Sequence, residues 1–178
     1  MAVKIKGGDK LRKALADLSK KVEKGGHVDV GFFEDATYPD GTPVAQVASW
    51  MEFGTPTSRP RPFMRNTVAK HSDRWGEALE AALKDSDFDV KIALSAVGVI
   101  IESQIRDEIA EGEFEPNKPL TNLLKWRFPK GDYTTEQFLK AVHDLKKGAT
   151  ASSGKPLVWS GRMFQSVTHE VKDGPGES

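Results

Sequence analysis

The stretch SWMEFGTPTSRPRPFMRNTV, Ser49 to Val68, decides how the chain is divided. An apolar run ends at Phe53-Gly54-Thr55, three prolines and three arginines crowd between Pro56 and Arg65, and a new helical pattern begins. Val44, Val47, Ala48 and Met51 share one helical face, so a short helix opened by Pro43 should run to about Phe53, with Gly54 as its cap. The Thr55 to Pro62 segment is expected to be a loop, because each proline pushes its predecessor toward extended geometry and lacks an N–H for a ladder. A further helix is expected from about Pro62, carrying Met64, Val68, Trp75, Leu79 and Ala82. Arg59 and Arg61, flanked by Pro60 and Pro62, form a stiff cationic segment suited to bidentate contact with a carboxylate or phosphate. Its open roles are a clamp between two helices, a subunit contact, or a nucleic-acid contact. Glu52, just before the Gly54 break, is placed to pair with Arg59 or Arg61 and fix the loop.

Working outward toward the start of the chain, Leu11, Leu15, Leu18 and Val22 make one stripe of an amphipathic helix over Asp9 to Lys24, stopped by Gly25-Gly26. Val28, Val30 and Phe32 alternate with polar residues, the pattern of a strand with one buried side. Tyr38 to Pro43 is dense in turn residues and reads as a loop or hairpin tip.

In the other direction, Asp85-Ser86-Asp87 breaks the helical pattern and supplies caps for the next helix. That helix, the longest, is expected over Phe88 to Ala110, with Val90, Leu94, Val97, Ile101, Ile105 and Ile109 as the spine of the core. Gly98 inside it lowers helix propensity and permits a close crossing. After Gly112 come a loop, then short helices over Leu120 to Phe128 and Thr134 to Leu145. Lys146 to Lys155 has little to pack and reads as mobile. Gln165 to Val171 alternates as a closing strand, and the tail Lys172 to Ser178 reads as disordered. The expected fold is α+β: a small antiparallel sheet packed against several helices, including one long central helix. It forms a single domain over residues 1–178, with a less regular elaboration at about 112–155.

Composition narrows the chemistry. The 178 residues carry 26 Lys/Arg against 26 Asp/Glu, so no global field draws the protein to nucleic acid or membrane. Charge is nevertheless uneven: Met1 to Lys24 holds eight Lys/Arg against three acids, and Phe53 to Trp75 holds five against one. These are either solvated helix faces or one face for an anionic partner. With no cysteine there is no disulfide, thiolate metal site or thiol nucleophile. The MAVKIKGGDK start lacks the apolar core of a secretory signal, and the apolar run near Ile92 to Ile101 is too short to span a bilayer. His27, His71, His143 and His169 are not spaced four apart, and neither a phosphate-binding glycine loop nor a nucleophile elbow occurs. No catalytic, metal or cofactor site is therefore expected.

The features in order carry a resemblance. Val30-Gly31, Asp40-Gly41, Val44-Ala45, Ala48, Glu52-Phe53-Gly54-Thr55, Arg61-Pro62-Phe63-Met64-Arg65 and the late Pro156-Leu157…Ser160-Gly161-Arg162-Met163…Ser166-Val167 are degenerate singly and fairly specific in sequence. Together they resemble the tail-completion or head–tail joining (neck) proteins of tailed bacteriophages, also labelled minor tail or virion morphogenesis proteins. The resemblance runs from about Gly25 to Val171 and is least distinctive over Pro116 to Gly154. It implies a structural virion protein without catalysis or cofactor, made in the host bacterial cytoplasm and ending in the tail or neck. It implies a homo-oligomeric ring, expected to be hexameric. The partners would be tail terminator or tail tube proteins and head–tail connector proteins, with double-stranded DNA passing the lumen and no membrane. On that reading, Glu52, Phe53, Arg59, Arg61, Phe63 and Arg65 are candidates for the subunit or neighbour interface. Arg59, Arg61, Lys10 and Lys13 are candidates to face DNA. The competing readings are a sequence-independent double-stranded DNA-binding protein, and an enzyme using Glu52 with a distant histidine.

Overall fold

The computed structural model describes residues 8–23 and 25–174. In chain order these form α1 (Gly8–Val22), β1 (His27–Gly31), α2 (Val44–Phe53), α3 (Phe63–Asp85), α4 (Val90–Glu111), α5 (Pro119–Arg127), α6 (Thr135–Lys146), α7 (Arg162–Gln165) and β2 (Thr168–Lys172). The fold is α+β: β1 pairs with β2 in a two-stranded antiparallel sheet, and the rest is helical or irregular. The contacts divide the described residues into two compact units, one of residues 8–23, 25–30, 72–101 and 169–174, the other of residues 31–71 and 102–168. The division falls inside α3 and α4, so each of these helices contributes to both units.

The first unit packs around Ala93, Leu94 and Val97 of α4, all buried. Gly26, at the entry to β1, lies against the Leu94 side chain and the Lys172 carbonyl, which brings the strand pair onto the helix. Gly98 allows the closest approach: a Cβ there would lie 2.6 Å from the His169 ring. That ring shares a 2.9 Å hydrogen bond with the Ser95 hydroxyl one turn back. Across the strands Lys172 bonds Asp29 at 2.8 Å, which holds the carboxyl below its usual range and the ammonium above its own. Residues 172–174 are thus tied down where a disordered tail was expected: Asp173 pairs with Lys91, and the Gly174 carbonyl meets His27. Residues 175–178 lie outside the described residues.

Between α3 and α4 the expected cap moves two residues. Asp89, not the Asp85-Ser86-Asp87 run, accepts from the Ile92 N–H at 3.1 Å. Asp87 and Phe88 meanwhile adopt left-handed φ values of 52° and 61° to reverse the chain. Neither is glycine, so this turn is strained by about 1–2 kcal/mol per residue.

In the second unit, Val44, Ala48, Phe63, Ile105, Ile109, Leu157, Met163 and Val167 are buried. Phe32 meets Phe63 edge-on with centroids 5.9 Å apart. The face of α3 differs from the periodicity reading by one position: Phe63 and Thr67 are buried, whereas Val68 is 48% exposed. A threonine is tolerated there because its hydroxyl donates to the Phe63 carbonyl at 2.8 Å. The α5–α6 pair has its own apolar cluster of Leu123, Leu124 and Ala141, with Phe128, Phe138 and Trp159 packed against it. A full capping box at Thr134 and Gln137 starts α6. Lys146 ends α6 and residues 147–155 are irregular; the segment read as having little to pack is anchored at Ala149 and Ala151, which pack on this cluster. The closing strand is shorter than its alternation implied, because residues 162–165 form a helical turn before β2.

The stripe of α4 follows expectation, and α1 forms as expected with its stripe open: Leu15 is 56% and Val22 41% exposed.

Substituting Gly98→Ala tests the crossing in the first unit. The added methyl collides with the His169 ring at a cost of about 1–3 kcal/mol. The gain in helix propensity, about 1 kcal/mol at most, offsets only part of it. The midpoint of chemical denaturation should fall with unchanged slope.

Candidate functional site

The Arg-Pro segment and the two helix ends beside it form a single interlocked structure. The α2 helix ends at Gly54, whose N–H bonds the Trp50 carbonyl and whose φ is 82°. A Cβ here would lie 2.9 Å from the Ser58 carbonyl and from the ring of Pro60, so glycine is required by conformation and by space alike. Thr55 and Ser58 then exchange backbone hydrogen bonds in a tight turn. The chain returns to α2 where the Arg61 N–H bonds the Met51 carbonyl at 2.7 Å. The prolines fix the extended return without demanding N–H partners.

Glu52 is the centre of this arrangement, 4% exposed at the end of α2. One carboxylate oxygen accepts from the Met64 N–H at 2.9 Å, the other from the Arg65 N–H at 3.2 Å and the Arg65 Nε at 2.8 Å. A carboxylate on the previous helix therefore caps the first turn of α3, where unpaired N–H groups and the helix dipole favour negative charge. Arg65 also donates through Nη2 to the Glu52 carbonyl at 2.8 Å and covers the Phe53 ring at 5.3 Å. The partner of Glu52 is thus Arg65, not Arg59 or Arg61.

The other arginines have different partners. Arg61 reaches inward, its guanidinium donating to the Glu115 carbonyl at 3.3 and 3.4 Å and to Asn117 Oδ1 at 3.2 Å. Burial lowers its pKa while Glu115 opposes the shift; a guanidinium stays charged regardless. Arg59 is 82% exposed and only 3.5 Å from the Glu115 carboxylate, a pairing of small energetic weight. Lys118 adds a bond to the Thr57 carbonyl at 3.3 Å. The loop is a clamp that fastens α2, α3 and the 115–118 segment within this unit.

Of the interface candidates, Phe63 is fully buried and Glu52 nearly so; they support the loop from inside and offer no surface to a neighbour. Phe53, 67% exposed, lies under the largely exposed Arg65, and Trp50, one helical turn back, is 43% exposed. Arg59 remains at the surface, whereas Arg61 is half-buried with its guanidinium donating within the chain. Lys10 and Lys13 are exposed on α1, in the other unit.

Periodicity gives no warning of two further charged positions. Glu108 is 7% exposed and receives Lys70 Nζ and Asn66 Nδ2, a polar bridge from α4 to the first turns of α3. Lys125 points its ammonium at the carbonyls of Lys155, Pro156 and Val158, at 2.9, 3.1 and 2.8 Å. Burial, with a smaller push from Arg61, lowers its pKa to about 8. The three carbonyls use every donor of the charged form and oppose that shift. Asn66 and Lys70 at i and i+4 were the available signal for the first; nothing local announces the second.

Among the described residues, no group of three or more His, Asp or Glu side chains is placed to hold a metal ion. No helix among them is long and apolar enough to cross a membrane. Comparison with protein-family models, curated proteins and solved structures finds no match for this chain.

Two outcomes test the clamp. Glu52→Ala should cost about 2–4 kcal/mol, because it strips the cap from α3 and leaves the Met64 and Arg65 N–H groups without their acceptor. Arg59→Ala should stay within about 0.5 kcal/mol in the same denaturation series. A second test uses pH. Between the folded pKa of Lys125, about 8, and its ordinary value of 10.5, the unfolded chain holds a proton the folded chain has released. This group therefore adds stability as pH rises through that window. Thermal melts of Lys125→Met should show a flatter pH dependence than the unaltered protein between those limits.

Proposed function

We propose that the chain is a structural virion protein of a tailed bacteriophage, completing the tail or joining it to the head as part of a ring-shaped neck assembly. One observation supports this above others. Two of the motif segments that carry the resemblance, Glu52-Phe53-Gly54-Thr55 and Arg61-Pro62-Phe63-Met64-Arg65, bond directly to each other through Glu52 and Arg65. They build a rigid corner and leave Phe53 and Arg65 at its surface. A motif used for a corner, with aromatic and guanidinium groups displayed outside, fits a protein whose work is to hold neighbours. Aromatic residues and arginine are the side chains that carry most binding energy at protein interfaces. The proposed partners are further copies of the chain, tail terminator or tail tube proteins and connector proteins, with DNA passing the lumen; the proposed location is the neck of the particle.

The alternative, a sequence-independent duplex-binding protein, has Arg59, Lys10 and Lys13 in its favour, all exposed. It predicts tight binding at low salt that falls steeply as salt rises.

Light scattering behind a sizing column, at low and high salt, separates these readings. A species six times the chain's 19.6 kDa is the expected result for the ring. A salt-sensitive complex with duplex DNA and no self-assembly would favour the alternative. Hydrolytic turnover by the purified protein would count against both.

A further inference from the structure

The first unit holds one of its elements loosely. Every side chain described from Arg12 to Glu23 on α1 is exposed except Leu18, which is half-buried. Among the described residues, one side chain hydrogen-bonds this helix to the rest of the unit. Lys21 Nζ donates to the Asp87 carbonyl at 2.9 Å and to the Asp87 carboxylate. Both side chains of that pair are open to water, Lys21 at 44% and Asp87 at 89%. An open hollow of about 280 Å³ lies beside the pair, lined by Lys21, Gly25, Phe88, Val90 and Asp173. The last turn of α1 is therefore not close-packed on the turn between α3 and α4.

The two glycines after the helix differ in their surroundings. A Cβ at Gly26 would lie 2.9 Å from the Leu94 side chain and 3.2 Å from the Lys172 carbonyl, so this residue is wedged into the body of the unit. Gly25 has a left-handed φ of 60°, and nothing lies within 4 Å of its Cβ position. The packed body thus begins at Gly26, and Gly25 is a pivot with space around it. A helix of 15 residues is marginal in water without packing. An exposed ion pair adds little to it and is screened by salt. Segments with few buried contacts open at a small fraction of the free energy of global unfolding.

We infer that α1 is a hinged arm that swings about Gly25, with Lys21 on Asp87 as the clasp that sets how often it is closed. The arm opens while α4 and the β1–β2 pair stay packed. High salt, or loss of either clasp partner, shifts it toward the open state. Opening adds Leu18 to the already exposed Leu15 and Val22, so the open arm displays its apolar stripe from Leu15 to Val22. The inference does not depend on the virion reading.

Hydrogen exchange on the full chain, read by mass spectrometry, tests the arm. Amides of α1 should exchange at least about a hundredfold faster than those of Ala93 to Val97 in α4. Raising the salt should speed α1 by a further factor of about two to five and leave α4 unchanged. Lys21→Met and Asp87→Asn should each speed α1 by a similar factor and remove the salt effect. Asparagine tolerates the left-handed φ of Asp87, so the second variant keeps the turn, and circular dichroism checks that both keep their helices. Because the chain has no cysteine, nitroxides at Arg12→Cys and Gly76→Cys, both exposed positions, give a second readout. Their distance distribution should have a narrow and a broad component, and Lys21→Met should enlarge the broad one. Amides of α1 as protected as those of α4, or a single narrow distance with and without Lys21, overturn the inference. So does fast exchange of α1 that neither salt nor either substitution alters, because the clasp then sets nothing.

Discussion

A buried carboxylate at the junction of two helices is the constraint on which the second unit depends. Glu52 satisfies two N–H groups at the start of α3 and the Nε of Arg65, while Arg65 closes the circuit on the Glu52 carbonyl. Burying a single carboxylate costs several kcal/mol unless it is paired and hydrogen-bonded. Here every partner comes from the first turn of the next helix, so the charge is tolerable only if the corner closes. The corner closes only if Gly54 takes its left-handed turn and the prolines carry the chain back past Met51. The Arg-Pro-Arg-Pro segment is thus the extended strut of a helix–helix corner, and its stiffness fixes where the exposed side chains on that corner stand.

Elements defined by spacing were the legible part of the sequence. The α4 stripe, the glycine cap at Gly54, the hairpin tip at residues 38–43 and the short α5 and α6 helices all follow from periodicity or turn chemistry. Several misreadings share one cause. A polar residue that finds a partner inside the fold behaves as a core residue, and no periodicity shows the partner. Thr67 takes a buried place because its hydroxyl reaches back to Phe63, and Glu52 because α3 begins beside it. Arg61 was legible as a strong bidentate donor, but its acceptors are a carbonyl and an amide more than fifty residues later. Long-range acceptors of that kind leave no trace in the local pattern.

The amphipathic reading of α1 describes its pattern and leaves open what covers it. A stripe of leucines announces that a helix wants a cover, not that its own chain supplies one. The same holds for α4, whose inner and outer faces are both apolar and whose pattern does not distinguish an intramolecular neighbour from an external one. Exposure separates the two cases.

The order in which the chain visits its units bears on how it folds. The α5–α6 pair with its apolar cluster is built from residues close in sequence and can collapse early. The strand pair of the first unit is the opposite: Asp29 and Lys172, bonded across it, are 143 positions apart. During synthesis β1 emerges long before its only described partner strand, and its open edge waits through the making of six helices. Closure of that loop is therefore a late, slow event, and until it happens the first unit exists as fragments. A chaperone acting on this protein would have most to do in that interval, at an unpaired strand.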